Sequence, residues 1–326
     1  MLVRLYKSAT VFQNIIILLV VVLLWFPRFY ALATMPTDYQ QPLFDFCFGM
    51  AQRFSPYLNS GITLFVLLFS AFFVQQSLNF DRLRISGHNF PLLLFVLLSA
   101  TPHVAFFSPV IFTALILAVA LLFLFKISET AQNDHLIFFT AFFFGISALF
   151  YPPAIFLMAL FIPVSISGHL SLKKAGVALL GFLFPVIWTV SGLYLSSNLL
   201  PLLEQWKQPF SIVSLPELFS DIRSFVILSL VVIIYILIIF RILSKFSERT
   251  AIIRRRITMS CYLILLLLLS AFFSYDFYEH FALLSVPMAA LISYYYNEDS
   301  ESQWIDYVLF GCFIILVVSS FLPLWS

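Results

Sequence analysis

Charge is scarce in this chain: 17 Lys and Arg and 15 Asp and Glu among 326 residues, so only 10% of the sequence is ionisable in that sense, while 62% is hydrophobic. That excludes a soluble globule of this length, because too few polar groups are present to cover its surface. The three cysteines, Cys47, Cys261 and Cys312, have no CxxC spacing, and we assign neither a disulfide nor a metal site to them. Glycine-rich phosphate loops are missing, as are GxSxG, HExxH and a GxGxxG between strand and helix, so ATP hydrolysis and serine-type hydrolysis have no support. Basic residues form no single patch, the formal net charge is only +2, and no nucleic-acid role is indicated. The mean hydropathy of +1.05 makes lipid the natural solvent.

What is present is a series of apolar runs. We expect an all-α, polytopic integral membrane protein with about eleven spans: roughly 10–27, 57–78, 89–106, 108–126, 135–150, 152–168, 175–197, 223–244, 257–275, 281–297 and 304–323. The chain 1–326 reads as one transmembrane domain with two long outer loops, 28–56 and 198–222, and no soluble domain. With the N-terminus cytoplasmic, 13 of the 17 basic residues fall inside, and Arg28, Arg53, Lys207 and Arg223 fall outside. The positive-inside rule accepts this orientation and rejects its reverse. The expected location is the bacterial inner, or cytoplasmic, membrane.

Arg4, Lys7, the apolar stretch to Phe26 and Ala31-Leu32-Ala33 imitate a cleavable signal peptide. The length of the run and the bulk of Tyr30 and Leu32 favour an uncleaved anchor. Aromatics are abundant, with 41 Phe and 14 Tyr, and read as lipid-facing and packing bulk, with Tyr294, Tyr295 and Tyr296 as an interfacial anchor. The third to sixth spans are short and meet at proline corners, Pro102 with Pro109 and Pro152 with Pro153, which suggests depressions in the outer face.

No Asp, Glu, Lys or Arg falls near the middle of any of these spans, which lowers the case for an ion-coupled transporter. The outer face is better supplied. Asp38 and Arg53 lie in the first loop, His103 and Tyr151 at the hairpin tips, Lys207 in the second loop, and Glu279 and His280 open the tenth span. Each alone is an ordinary solvated loop group. Together, carboxylates and a histidine can do acid and base work or hold a divalent cation, while Arg and Lys can bind a phosphate. A four-histidine iron centre has no support, because three of the five histidines, His88, His135 and His169, fall inside.

Met35-Pro36-Thr37-Asp38-Tyr39, the inner turn Asp81-Arg82-Leu83-Arg84, the corner Phe144 to Pro153 and the segment Glu279 to Pro287 resemble elements of the GT-C membrane glycosyltransferases. A single Asp38 stands where paired acidic residues are common in that family, and Phe150-Tyr151 stands where its corner is usually basic. Over the Leu-Trp-Phe-Pro end of the first span and the same corners, the chain is similar to an uncharacterised family of Bacteroidota multi-span membrane proteins. The GT-C resemblance implies a lipid-linked sugar, such as a polyprenyl-phosphate sugar, bound or transferred at the outer face. Asp38, Glu279 and His280 would then be catalytic, and Arg53, His103, Tyr151 and Lys207 would bind substrate. The alternatives from the residues themselves are a non-catalytic anchor or scaffold for an envelope protein partner, and a lipid or solute transporter.

Overall fold

Apolar side chains cover the outside of the molecule as well as its inside. In the computed structural model, Leu18, Phe65, Leu180, Trp188, Ile236 and Phe240 are all exposed, the pattern of a surface solvated by acyl chains rather than by water. The structure describes residues 11–30, 43–44, 47, 55–79, 89–100, 108–128, 134–162, 172–195, 222–244, 246–274, 277–298, 310–311, 313–315 and 317–318. Among them there are no strands. The α-helices are α1 (Val11–Tyr30), α2 (Pro56–Asn79), α3 (Phe90–Ser99), α4 (Pro109–Ile127), α5 (Asp134–Phe150), α6 (Leu172–Leu195), α7 (Ile222–Ser244), α8 (Ala251–Ala271) and α9 (Phe277–Glu298), with 3-10 helices at Pro152–Leu160 and Phe246–Glu248.

Among the described residues, three segments, Tyr57–Leu78, Pro109–Ile127 and Lys173–Leu195, are long and apolar enough to cross a membrane. Several buried hydroxyls of the bundle bond to the backbone of their own helix. Thr63 donates to the Asn59 carbonyl, Ser70 to Val66, Thr140 to Leu136 and Ser293 to Ala289.

The centre of the bundle is α9. Every side chain from Glu279 to Tyr294 is buried, with α3, α4 and α8 packed around it. The reason is in the sequence: Ser285, Ala289 and Ser293 repeat at four-residue spacing and present a strip of small side chains on which neighbouring helices can close. Lipid cannot drive helices together by the hydrophobic effect, so such close packing supplies much of the cohesion.

A second close approach joins α5 to α6. A Cβ on Gly145 would lie 2.4 Å from the Phe182 carbonyl oxygen and 2.7 Å from Pro185 Cγ, and one on Gly181 would lie 2.5 Å from the Phe138 carbonyl oxygen. Both glycines are therefore fixed by the crossing. Pro185 lies inside α6, where its missing N–H leaves the Gly181 carbonyl without an intrahelical donor.

Contacts between distant residues place successive helix ends alternately. Ser108, Tyr151, Ser270 and His280 gather at what we call the upper end, and Ser128, Arg256 and Tyr294 at the lower end. Gln75 donates to Asn89 where α2 meets α3, and Lys173 pairs with Asp134 where α6 begins beside α5. In the charge-based topology the upper end is the outer face.

Two boundaries and one side-chain environment differ from expectation. The sixth run is a 3-10 helix over Pro152–Leu160, since Pro152 and Pro153 lack the N–H groups an α-helical start would use elsewhere and the segment winds tightly from the corner. The Arg254-Arg255-Arg256 triplet lies in the first turns of α8 rather than in a loop. Tyr294 is not an interfacial anchor: it is buried and bonded to Arg256. The side chains of Tyr295 and Tyr296 lie outside the described residues.

Candidate functional site

At the upper end, four helix termini converge on the first turn of α9. Ser108 is the N-cap of α4, in extended conformation, with Pro109 at the first helical position. Its Oγ accepts from the Ile111 N–H at 3.3 Å, and the same hydroxyl donates to Oε1 of Glu279. One serine thus starts α4 and anchors a carboxylate from the other end of the sequence. Glu279 sits in the first turn of α9, where the helix dipole favours a negative charge.

Next to it, His280 is completely buried and uses both ring nitrogens. Nε2 lies 2.9 Å from the Leu267 carbonyl oxygen, which can only accept, so Nε2 carries the proton. Ser270 Oγ, 3.1 Å from the same nitrogen, itself donates to Leu267 O and presents its lone pairs to the ring. Nδ1 is then the acceptor in the neutral ring, and Tyr151 donates its phenolic proton to it at 2.7 Å. Tyr151 reaches this position because the chain breaks there: its extended backbone (φ −140°, ψ 92°) separates α5 from the 3-10 helix. Tyr151 N–H still donates to Ser147 O, and its carbonyl accepts from Ala154 N–H, so the corner loses little backbone hydrogen bonding.

The first loop touches this same end. Phe44 is buried with its ring 6.4 Å from Phe112, which meets Phe150 at 4.9 Å, and Leu43 packs with Leu149 and Leu193. Of the residues expected at the site, Tyr151, Glu279 and His280 are therefore close together, through Ser108, Ser270 and the α8 terminus. Asp38, Arg53, His103 and Lys207 lie outside the described residues. Tyr151, Glu279 and His280 are each no more than 2% exposed. Their chemistry is that of a hydrogen-bonded network beneath a surface: it can fix side chains and carry a proton along Tyr151, His280 and Ser270. Among the described residues, no three metal-binding side chains gather, and Cys47 and Cys261 are free thiols.

Sequence reasoning missed Ser108 and Ser270, since single serines beside apolar runs carry no distinguishing signal. It also missed a second buried network at the lower end. Arg256, 1% exposed, donates from Nε to Ser128 Oγ at 3.2 Å and from Nη1 to the Tyr294 hydroxyl at 2.7 Å. Its guanidinium lies 5.5 Å from the Phe125 ring centre and 5.9 Å from that of Tyr294, a cation–π arrangement that favours the charge in an apolar setting. Along α9, His280 and Tyr294 are separated by about 21 Å. An apolar layer lies between the two polar networks, which fits the interior of a bilayer about 30 Å thick.

Comparison with protein-family models, with curated proteins and with solved structures yields no match to this chain.

Proposed function

We propose that the chain is a multi-pass protein of the bacterial cytoplasmic membrane, with about eleven spans and GT-C-like architecture, that binds or transfers a lipid-linked sugar at its outer face. One observation carries this reading: at the end of the bundle on which Leu43 and Phe44 of the first loop also pack, Tyr151 bonds to His280 and the neighbouring Glu279 bonds to Ser108, all of them buried. Asp38 is the base or metal-binding carboxylate, five residues before Leu43. Arg53 and Lys207 hold the donor phosphate, and His103 is a further substrate-binding residue. Because Glu279, His280 and Tyr151 are buried, they act as positioning residues that hold the proline corner and the α9 terminus in register beneath the ligand. A polyprenyl tail would remain among the lipid-facing helices while its phosphate meets the interfacial cations.

The test is transfer from, or binding of, a polyprenyl-phosphate sugar by the full chain in proteoliposomes. Asp38→Asn is expected to abolish transfer while the folded yield stays unchanged. Transfer retained by that variant removes Asp38 from the mechanism, and a wild-type chain that neither binds nor transfers such donors overturns the reading.

The full burial and internal partnering of the described network favour a second reading, a non-catalytic scaffold of an envelope assembly. In that case Asp38 and Glu279 variants keep function, and changes in segments 41–56 or 204–222 lose a protein partner in pull-down.

A further inference from the structure

The lower end of the bundle carries an uneven charge distribution. Between Arg241 and Arg256 the sequence holds Arg241, Lys245, Arg249, Arg254, Arg255 and Arg256 against one acidic residue, Glu248. The structure divides these by role. Arg256 turns inward to Ser128 and Tyr294, and Arg249 is buried. Arg241 and Arg255 are exposed and Arg254 is half-buried. None of these three has an ion-pair partner among the described residues. Elsewhere on this end Lys173 is paired with Asp134 at 3.7 Å, so part of its field is compensated.

Apolar surface borders the uncompensated cations. Phe240 is 74% exposed and Leu243 49%, on the last turns of α7 beside Arg241, and Ile252 is exposed in the first turn of α8. Cations beside outward-facing apolar groups at a helix terminus match a molecule with an anionic head and acyl chains.

We propose that the α7–α8 junction is a binding site for anionic phospholipid, the head group held by Arg241, Arg254 and Arg255 and the acyl chains lying on Phe240, Leu243 and Ile252. Juxtamembrane clusters of this size attract anionic head groups, with a contribution per cation that salt screens. The inward anchoring of Arg256 fixes the rotation of α8, and so sets which of its neighbours face the lipid. This site rests on the membrane reading but not on the sugar-lipid reading, whose described residues, Tyr151, Glu279 and His280, lie at the opposite end.

The test is native mass spectrometry of the full chain, purified in detergent and offered phosphatidylglycerol and phosphatidylcholine in competition. The wild type retains phosphatidylglycerol preferentially, and raising the salt erodes that preference. Arg241→Gln, Arg254→Gln and Arg255→Gln together reduce the preference by about tenfold or more, while Lys173→Gln leaves it unchanged. Equal retention of the two lipids by the wild type, or an undiminished preference in the triple variant, overturns the proposal. Should the triple variant not fold, the salt series on the wild type decides: a preference insensitive to salt rejects it. Sugar-lipid binding at the upper end is measured on the same samples, so failure of one site is separable from failure of the other.

Discussion

Tyr151 and His280 stand 129 residues apart in the sequence and share a hydrogen bond of 2.7 Å inside the bundle. The bond ties the proline corner after α5 to the first turn of α9. It also fixes the imidazole tautomer, since the opposite nitrogen faces the Leu267 carbonyl. Tyr151→Phe is expected to cost about 1–3 kcal/mol, because it leaves a buried ring nitrogen without its donor. Paired with His280→Ala in a double-mutant cycle of thermal or denaturant unfolding, the two changes should be non-additive by at least about 0.5 kcal/mol. Simple additivity would show that the two residues act separately.

Ser108 has two tasks, capping α4 and bonding Glu279. Ser108→Ala should lose about 1 kcal/mol from the cap alone, and more from the lost bond to the Glu279 carboxylate. Ser108→Thr keeps the hydroxyl and should retain most of the stability. Measured unfolding midpoints of the two variants in one detergent would discriminate them, and equal losses would count against the hydroxyl's role.

Arg256 is held by donor geometry and ring stacking as well as by charge. Arg256→Lys should therefore fail to restore the stability lost in Arg256→Ala, since an ammonium cannot reach both Ser128 and Tyr294 in the same fork. Tyr294→Phe should lose less, about 1–2 kcal/mol, because the ring beside the cation remains. Full rescue by lysine in a melting experiment would contradict this account.

Glycine substitutions offer a contrast within one molecule. Gly145→Ala and Gly181→Ala place a methyl against backbone carbonyls, so α5 and α6 must separate, at a cost of about 1–3 kcal/mol. Gly176 and Gly192, on the same helix α6, have nothing within 4 Å of the added Cβ. Alanine there should be neutral, or stabilising by a few tenths up to about 1 kcal/mol through helix propensity. A ranking of the four variants by unfolding midpoint tests the crossing directly, and equal effects at all four positions would refute it.

The sequence by itself determined that the chain is helical and where most helices run, because apolar runs of this length satisfy their backbone only as helices in lipid. Pro109 marked the corner before α4, and Pro152-Pro153 marked the corner after α5, since prolines act within a few residues of where they stand. Tyr151, Glu279 and His280 were also legible as candidates, being polar groups at the ends of apolar runs. Their meeting was not, because it depends on which helices are neighbours, and almost every face in such a sequence is equally apolar. The inward turn of Arg256 was hidden for a related reason. In the triplet Arg254-Arg255-Arg256 the three residues are chemically identical, and only the rotation of α8 against α4 and α9 decides which one leaves the surface.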